Sequence, residues 1–283
     1  MILIADSGST KADWIALDKD TIYFRTRTRG LNPAILTQKQ LEERIINNFE
    51  LIQNAQKISR VYFYGAGCGT KEPVSKLTQV LQKIFTNAKI EVNEDMLAAV
   101  YAASQGKEAI VCILGTGSNS CYYDGKKMHQ NVVSLGYIIM DEASGNYFGK
   151  KLIQDYFYKR MPPEIALDFR KKYDLNPDTI KENLYQKDSP NAYLGSFAQF
   201  MFDHKDNKYI NQLLSKGFKE FFENCILPYG KSKEVPIYFI GSIAYFFKQV
   251  LNQVAASYGL QIKDVIRRPI DNLITYHQKL LNK

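Results

Sequence analysis

Cysteine is scarce in this chain, and the four present (Cys68, Cys112, Cys121 and Cys225) form no CxxC pair. That spacing excludes a disulfide framework and a zinc ribbon, and it fits reduced core thiols in a cytoplasmic protein. Histidine is scarcer still: His129, His204 and His277 lie far apart and show no metal-ligand spacing. Long apolar runs are missing too. The longest stretches, such as Ile110–Leu114 and Val235–Ile240, are far too short to span a bilayer. The opening Met1–Asp6 has no basic region before its apolar residues, so it reads as a first strand rather than a signal peptide. The formal charge is +8, yet Lys and Arg are dispersed and no compact basic run appears. This argues against a nucleic-acid partner and leaves room for a locally positive cleft around a small anion. Two nucleotide motifs are also absent. Gly145–Lys151 has the wrong spacing for a Walker A loop and no Ser or Thr after the lysine, and no GxGxxG follows a strand.

What is present is an ordinary α/β pattern over 283 residues, 45% hydrophobic and 23% charged, enough for one large or two medium domains. Strands are expected at Ile2–Asp6, Ala12–Leu17 and Ile22–Thr28. A helix carrying Leu41, Ile45, Phe49 and Ile52 follows. Next come a strand at Arg60–Tyr64, the loop Gly65–Gly69, a helix opened by Pro73, a strand at Lys89–Asn93 and an Ala-rich helix after Asp95. The pattern then restarts: strand Ala109–Leu114, loop Gly115–Ser118, strand Asn119–Asp124. Residues 144–231 read as mostly helical, with Ile210, Leu214, Phe218 and Phe221 on one core-facing stripe. Strand Val235–Ile240, a helix through Val254, strand Gln261–Val265 and a last helix from Pro269 close the chain. Two halves that each open with a hairpin around small residues suggest two related α/β domains.

The small-residue loops carry the chemistry. Asp6 ends a buried strand before Ser7-Gly8-Ser9-Thr10-Lys11, where exposed N–H groups and hydroxyls can cradle phosphate, Lys11 adds a charge and Asp6 can hold Mg²⁺ through water. Gly115-Thr116-Gly117-Ser118 repeats this chemistry in the second half. Either loop alone also reads as a tight turn. Asp95, between strand and helix, is either a base for a substrate hydroxyl or a helix N-cap. Asp141 and Glu142 are candidates for sugar hydroxyls or metal, with Ser144 as a cap. Gly241-Ser242, between strand and helix, lets a flat ring approach the backbone.

In this order, Asp6–Trp14, Gly115–Asn119, Gly136–Gly149 and Gly241–Ala244 resemble four motifs of the acetate-and-sugar-kinase/heat-shock-protein/actin superfamily: phosphate-1, phosphate-2, a sugar-side DEGSG segment and the adenosine motif. Within it the chain resembles the BadF/BadG/BcrA/BcrD-type ATPase family, most closely its N-acetylglucosamine kinase branch. The likeness runs the whole length and includes Ile266–Asp271. It implies an α/β protein of two actin-like (ribonuclease H-like) domains, 1–98 and 99–283, facing each other across a nucleotide and sugar cleft, with helix 269–282 packing back on the first. It implies ATP and Mg²⁺ as cofactors, phosphorylation of an amino sugar (N-acetylglucosamine to its 6-phosphate) and a homodimer.

Residue by residue, the resemblance implies Asp6 for Mg²⁺ and Gly8, Ser9, Thr10, Lys11, Gly115, Thr116, Gly117 and Ser118 for the phosphates. Gly241 and Ser242 fall to the nucleotide, Asn32, Asn119, Gly136 and Asp141 to the sugar, and Asp95 to the catalytic base. The chain departs from the family's pattern at Met140 and Ala143, which replace usual glycines. Two other functions share the pattern: an ATPase activator of a radical dehydratase, for which Cys68 is the one suggestive thiol, and a non-catalytic sugar or nucleotide sensor.

Overall fold

The computed structural model describes residues 1–8 and 10–281. It forms two compact units, Met1–Gly106 with the C-terminal segment from Arg268, and Lys107–Arg267. The first break therefore falls beyond residue 98, after the Ala-rich helix. That helix, Asp95–Ser104, packs against strands of the first unit and against the C-terminal helix Pro269–Leu281.

In the first unit β1 (Ile2–Ser7), β2 (Lys11–Asp18) and β3 (Thr21–Arg29) form an antiparallel meander, and β4 (Arg60–Gly65) and β5 (Lys89–Glu94) add in parallel beside β1. The order is β3-β2-β1-β4-β5. Tight turns suffice for the antiparallel pairs, whereas the parallel additions need helical crossovers, which Gln38–Ile46 and Lys71–Ile84 help supply.

The second unit repeats this plan with β6 (Ala109–Leu114), β7 (Ser118–Tyr123), β8 (Met128–His129), β9 (Ile237–Ile240) and β10 (Ile262–Ile266) in the order β10-β9-β6-β7-β8. Here too the first strand is central, two follow as hairpins, and two join in parallel. Each unit has its own core: Trp14, Phe63, Leu77 and Phe85 in the first, Phe148, Phe169, Phe218 and Phe239 in the second. Separate cores mark separate domains.

Local differences from the sequence reading have local causes. The helix expected through Phe49 and Ile52 breaks at Asn47-Asn48. Asn48 starts a new helix, Phe49–Asn54, by accepting the Leu51 N–H, while its Nδ2 donates to Thr26 Oγ1 at 2.9 Å. The helix expected to open at Pro73 begins at Lys71, because proline is tolerated in a first turn whose N–H groups have no helical acceptor. No helix among the described residues is long and apolar enough to cross a membrane.

Candidate active site

In open α/β sheets, ligands gather outside the carboxyl ends of the parallel strands. In the first unit four segments meet there. Asp6, the penultimate residue of β1, pairs with Asp13 on β2 and Tyr64 on β4. The following hairpin is closed by Gly8 N–H to the Lys11 carbonyl at 2.9 Å, and the Thr10 carbonyl accepts the Gly30 N–H at 3.0 Å. Buried Ser7 draws in the same segment, since its Oγ accepts the Leu31 N–H at 2.9 Å. The Ser7 carbonyl also takes the Ala66 N–H, which brings the Gly65–Gly69 loop alongside. Gly67, at φ 78°, lies so close to Asn32 that a Cβ there would sit 2.0 Å from Asn32 Oδ1. Asn32 Oδ1 accepts the Ala34 N–H at 3.0 Å.

Asp95 is the first residue of its helix. The cap position belongs to Glu94, which makes no side-chain cap bond. Desolvation, and then the neighbouring Glu94 charge, push the Asp95 carboxyl up to about 6, against the N–H groups of Met96 and Asp95 itself. Asp6 is pushed up to about 7 by desolvation, then by Asp95 and Asp13, with Lys11 opposing. Both residues are half-buried. Asp6 accepts no hydrogen bond among the described residues and feels two negative neighbours. Among the described residues no group of three or more His, Cys, Asp or Glu gathers to hold a metal ion. An open carboxylate such as Asp6 fits Mg²⁺ as a single oxygen ligand beside water and phosphate oxygens.

The second unit builds its loop more rigidly. Gly115 N–H bonds the Gly117 carbonyl at 3.0 Å, the Gly115 carbonyl takes the Gly145 N–H at 2.8 Å, and the Thr116 carbonyl takes the Asn146 N–H at 2.9 Å. The loop thus rests on the start of helix Gly145–Phe157, which Ser144 caps through the Tyr147 N–H. Buried Asp141 locks the assembly: Oδ1 accepts the Ser118 N–H at 3.2 Å and Oδ2 accepts Asn146 Nδ2 at 2.7 Å. Desolvation raises its pKa, and the Asn146 and Ser118 donors and Lys150 pull it back down. Gly241, at φ 119°, comes so near β6 that a Cβ would stand 2.3 Å from the Leu114 carbonyl oxygen. Gly241-Ser242 and Gly115 are thereby neighbours.

The sequence-derived candidates thus fall into two groups, one per unit. Asp6, Gly8, Thr10, Lys11, Asn32 and Asp95 lie in the first, and Gly115–Ser118, Asp141, Gly241 and Ser242 in the second. Ser9 lies outside the described residues. Asn119 Oδ1 is turned onto the Ser120 N–H at 2.9 Å. At Gly136 a Cβ would meet nothing within 4 Å; glycine there serves the φ of 81° in a turn whose carbonyl accepts the Met140 N–H. Met140 has no positive φ, and its Sδ receives the Leu135 N–H. Ala143 adopts φ 59°, the conformation a glycine would take without strain. Sequence reasoning missed the bracing roles of Ser7 and Asn146. Their only signal was position, one inside the hairpin motif and one just after the helix cap.

No protein-family model and no curated protein matches the chain. Solved structures do. The duplicated five-stranded sheet is that of two-domain, actin-like proteins, and two distant likenesses share that fold. One is a "Putative N-acetylglucosamine Kinase" from Chromobacterium violaceum (TM-score 0.69, 15% identity, 100% of this chain and 99% of that one). The other is a ROK family glucokinase from Streptomyces griseus in complex with glucose and AMPPNP (TM-score 0.58, 14% identity, 97% of each chain). A nearer relative is the "Putative N-acetylglucosamine Kinase" of Porphyromonas gingivalis, at 37% identity over 99% of both chains with a TM-score of 0.92. The chain belongs to the family of this Porphyromonas gingivalis protein.

Proposed function

We propose that this chain is a cytoplasmic, ATP-dependent kinase that phosphorylates N-acetylglucosamine on its 6-hydroxyl, within the N-acetylglucosamine kinase branch of the BadF/BadG/BcrA/BcrD-type ATPases. The observation that carries the reading is Asp95: a desolvated carboxylate at a strand-to-helix junction, raised to about 6 and within Coulombic reach of Asp6. A general base works best with a pKa near the working pH. The name of the 37% identical relative supports the substrate class, and the nucleotide analogue bound to the glucokinase supports ATP as donor.

In this reading Asp95 orients the sugar 6-hydroxyl and takes its proton as the oxygen bonds to the γ-phosphorus. The bond from that phosphorus to the bridging oxygen breaks, and ADP leaves with the electron pair. Positioning and charge neutralisation supply most of the acceleration in such transfers. The phosphates fall to the two hairpins. The N–H groups of Gly8, Gly115 and Ser118 are spent within the protein. This leaves the N–H groups of Thr10, Thr116 and Gly117 and the hydroxyls of Thr10, Thr116 and Ser118 as the donors, and Lys11 adds a positive charge. Asp6 would hold Mg²⁺, which when bound would supply neutralisation of phosphate charge. Gly241 and Ser242, at the end of β9, are the proposed nucleotide contacts, although the side-chain space of Gly241 is already taken by the Leu114 carbonyl. Asn32, Asn119, Gly136 and Asp141 belong to the sugar side. Asp141 has a donor on each oxygen and a second lone pair on each still open to a hydroxyl.

Two observations weigh against the other functions. Ala143 adopts the left-handed backbone that a glycine takes without strain, which supports a sugar-side turn of the family's kind despite the substitution. Cys68 is buried and its thiol is pushed up to about 12 by desolvation, then by Asp95 and Glu94, which disfavours the thiolate an iron–sulfur ligand requires. The test is ADP release from purified protein with Mg·ATP against a panel of amino sugars and hexoses. N-acetylglucosamine-dependent ADP that disappears in Asp95→Asn supports the proposal. Slow ADP formation indifferent to every sugar would sink it, and size-exclusion with light scattering checks the accompanying proposal of a homodimer.

A further inference from the structure

Positive charge collects on the outer strands of the first unit, on the face where the C-terminal helix begins. Along β3, Arg25, Arg27 and Arg29 alternate with Phe24, Thr26 and Thr28, so their guanidiniums share one face at spacings of about 7 Å. Arg27 lies opposite Asp13 and Arg25 opposite Ile15 on β2. With Arg268, Ile270 and Asp271 these residues line a pocket of about 230 Å³, smaller than the roughly 300–1,000 Å³ usual for drug-sized ligands and suited to a compact one.

Charge in the pocket is unbalanced. Asp13 Oδ1 is engaged by Arg27 through Nε and Nη2, each at 2.6 Å, and Asp13 Oδ2 lies 3.9 Å from Lys11 Nζ. Asp271 takes only Nη1 of Arg25, at 2.6 Å. Nε and Nη2 of Arg25 make no hydrogen bond among the described residues, and Arg268 has no carboxylate within ion-pair distance there. Three guanidiniums thus face two carboxylates. Nearby Lys11 feels both signs: desolvation lowers its pKa most, Asp13 as the strongest single charge raises it, and Arg268 and then Arg27 lower it again. The first-turn N–H groups of Ile270 and Asp271 have no helical acceptor and add donors at the same edge.

We infer that this pocket is a second anion site, built for the phosphoryl group of a small phosphate monoester or for inorganic phosphate, and separate from the hairpin Gly8–Lys11. Arg268 and the free arm of Arg25 present the forked donors that match phosphate oxygens, and the helix start favours negative charge. Arg25 and Arg27 each hold one carboxylate, and Arg268 beside them adds a charge that a bound anion would offset. The inference stands apart from the kinase reading, because its primary probe is inorganic phosphate.

Isothermal titration of inorganic phosphate, and of N-acetylglucosamine 6-phosphate, into the full chain tests it, with and without saturating AMPPNP. Binding is expected to persist with nucleotide present, to weaken as salt rises, and to fall about tenfold or more in the double variant R25Q/R268Q, whose melting temperature stays near that of the parent because both side chains are exposed. Tighter binding of the sugar phosphate identifies a monoester as the ligand, and equal binding identifies free phosphate. Phosphate that binds R25Q/R268Q as well as the parent, that is displaced by AMPPNP, or that shows no binding at millimolar concentration overturns the assignment.

Discussion

Asp6 in the first unit and Asp141 in the second each stand beside a hairpin of small residues, and they are held in opposite ways. Asp6 has no hydrogen-bond donor among the described residues, and Asp95 and Asp13 repel its charge. Asp141 has a donor on each oxygen, one from the hairpin backbone and one from Asn146. Two sheets of the same strand order therefore carry a strained carboxylate and a satisfied one. The first unit stores electrostatic tension that a cation or a proton relieves. The second spends its carboxylate on fixing a loop. Reactivity, in the proposed kinase, belongs to the first unit and rigidity to the second.

The most severe test of this contrast is Asp95→Asn, which removes the proposed base and leaves the shape. Sugar-dependent ADP formation is expected to fall about 10²–10⁴-fold in kcat, with nucleotide affinity by titration within a few-fold of the parent. Retained turnover would move the reactive carboxylate elsewhere.

Gly241→Ala strikes the second unit where the end of β9 crowds the end of β6. A Cβ 2.3 Å from the Leu114 carbonyl at φ 119° forces the backbone apart, and a loss of about 2–4 kcal/mol in unfolding free energy is expected. Denaturant melts measure it.

Asp141→Asn leaves a carbonyl for one donor and sets an amide against the other. A loss of about 1–3 kcal/mol is expected, seen as faster amide exchange at Ser118 and around Asn146. Asp6→Asn, by contrast, is expected to stabilise the metal-free protein above neutral pH. The sign follows from linkage. A carboxyl whose folded pKa is raised, here from 3.8 to about 7, stabilises the fold below its unfolded pKa and loses that contribution as pH climbs through the folded value. The parent should therefore melt lower at pH 8 than at pH 5 relative to Asp6→Asn, and Mg²⁺ should raise the melting temperature of the parent only. The same shift at Asp95, to about 6, makes kcat/KM fall as pH drops below about 6 in the parent.

The smallest effect belongs to Ala143→Gly, which relaxes the left-handed residue at φ 59°. Glycine should add up to about 1 kcal/mol or leave stability unchanged, since relief of strain is offset by greater freedom in the unfolded chain.

Much of this arrangement was legible in the sequence. Alternation and turn residues marked nearly every strand, because a half-buried strand and its hairpin leave a period of two and a cluster of Gly, Asp and Ser. The restart after residue 108 announced the duplicated sheet. Asp6, Asp95 and the two small-residue loops stood out because phosphate chemistry needs those residue types beside strand ends. The break at Asn47-Asn48 was not legible, since it depends on Asn48 reaching Thr26 on a strand more than twenty residues earlier. Nor was β8, a two-residue strand set by the turn after Asp124. The electrostatic states were likewise hidden. That the Asp6 carboxylate finds no donor among the described residues while Asp141 is doubly bonded depends on Asn146, Ser118 and Asp13, whose roles appear only when strands are in register. Sequence by itself marked most of the strands, helices and small-residue loops, because those choices rest on local periodicity and backbone preference. Tertiary structure alone decided which carboxylates are satisfied, how near Gly241 comes to Leu114, and that three arginines and a helix start share one pocket, because burial and charge pairing are set by residues distant in the chain.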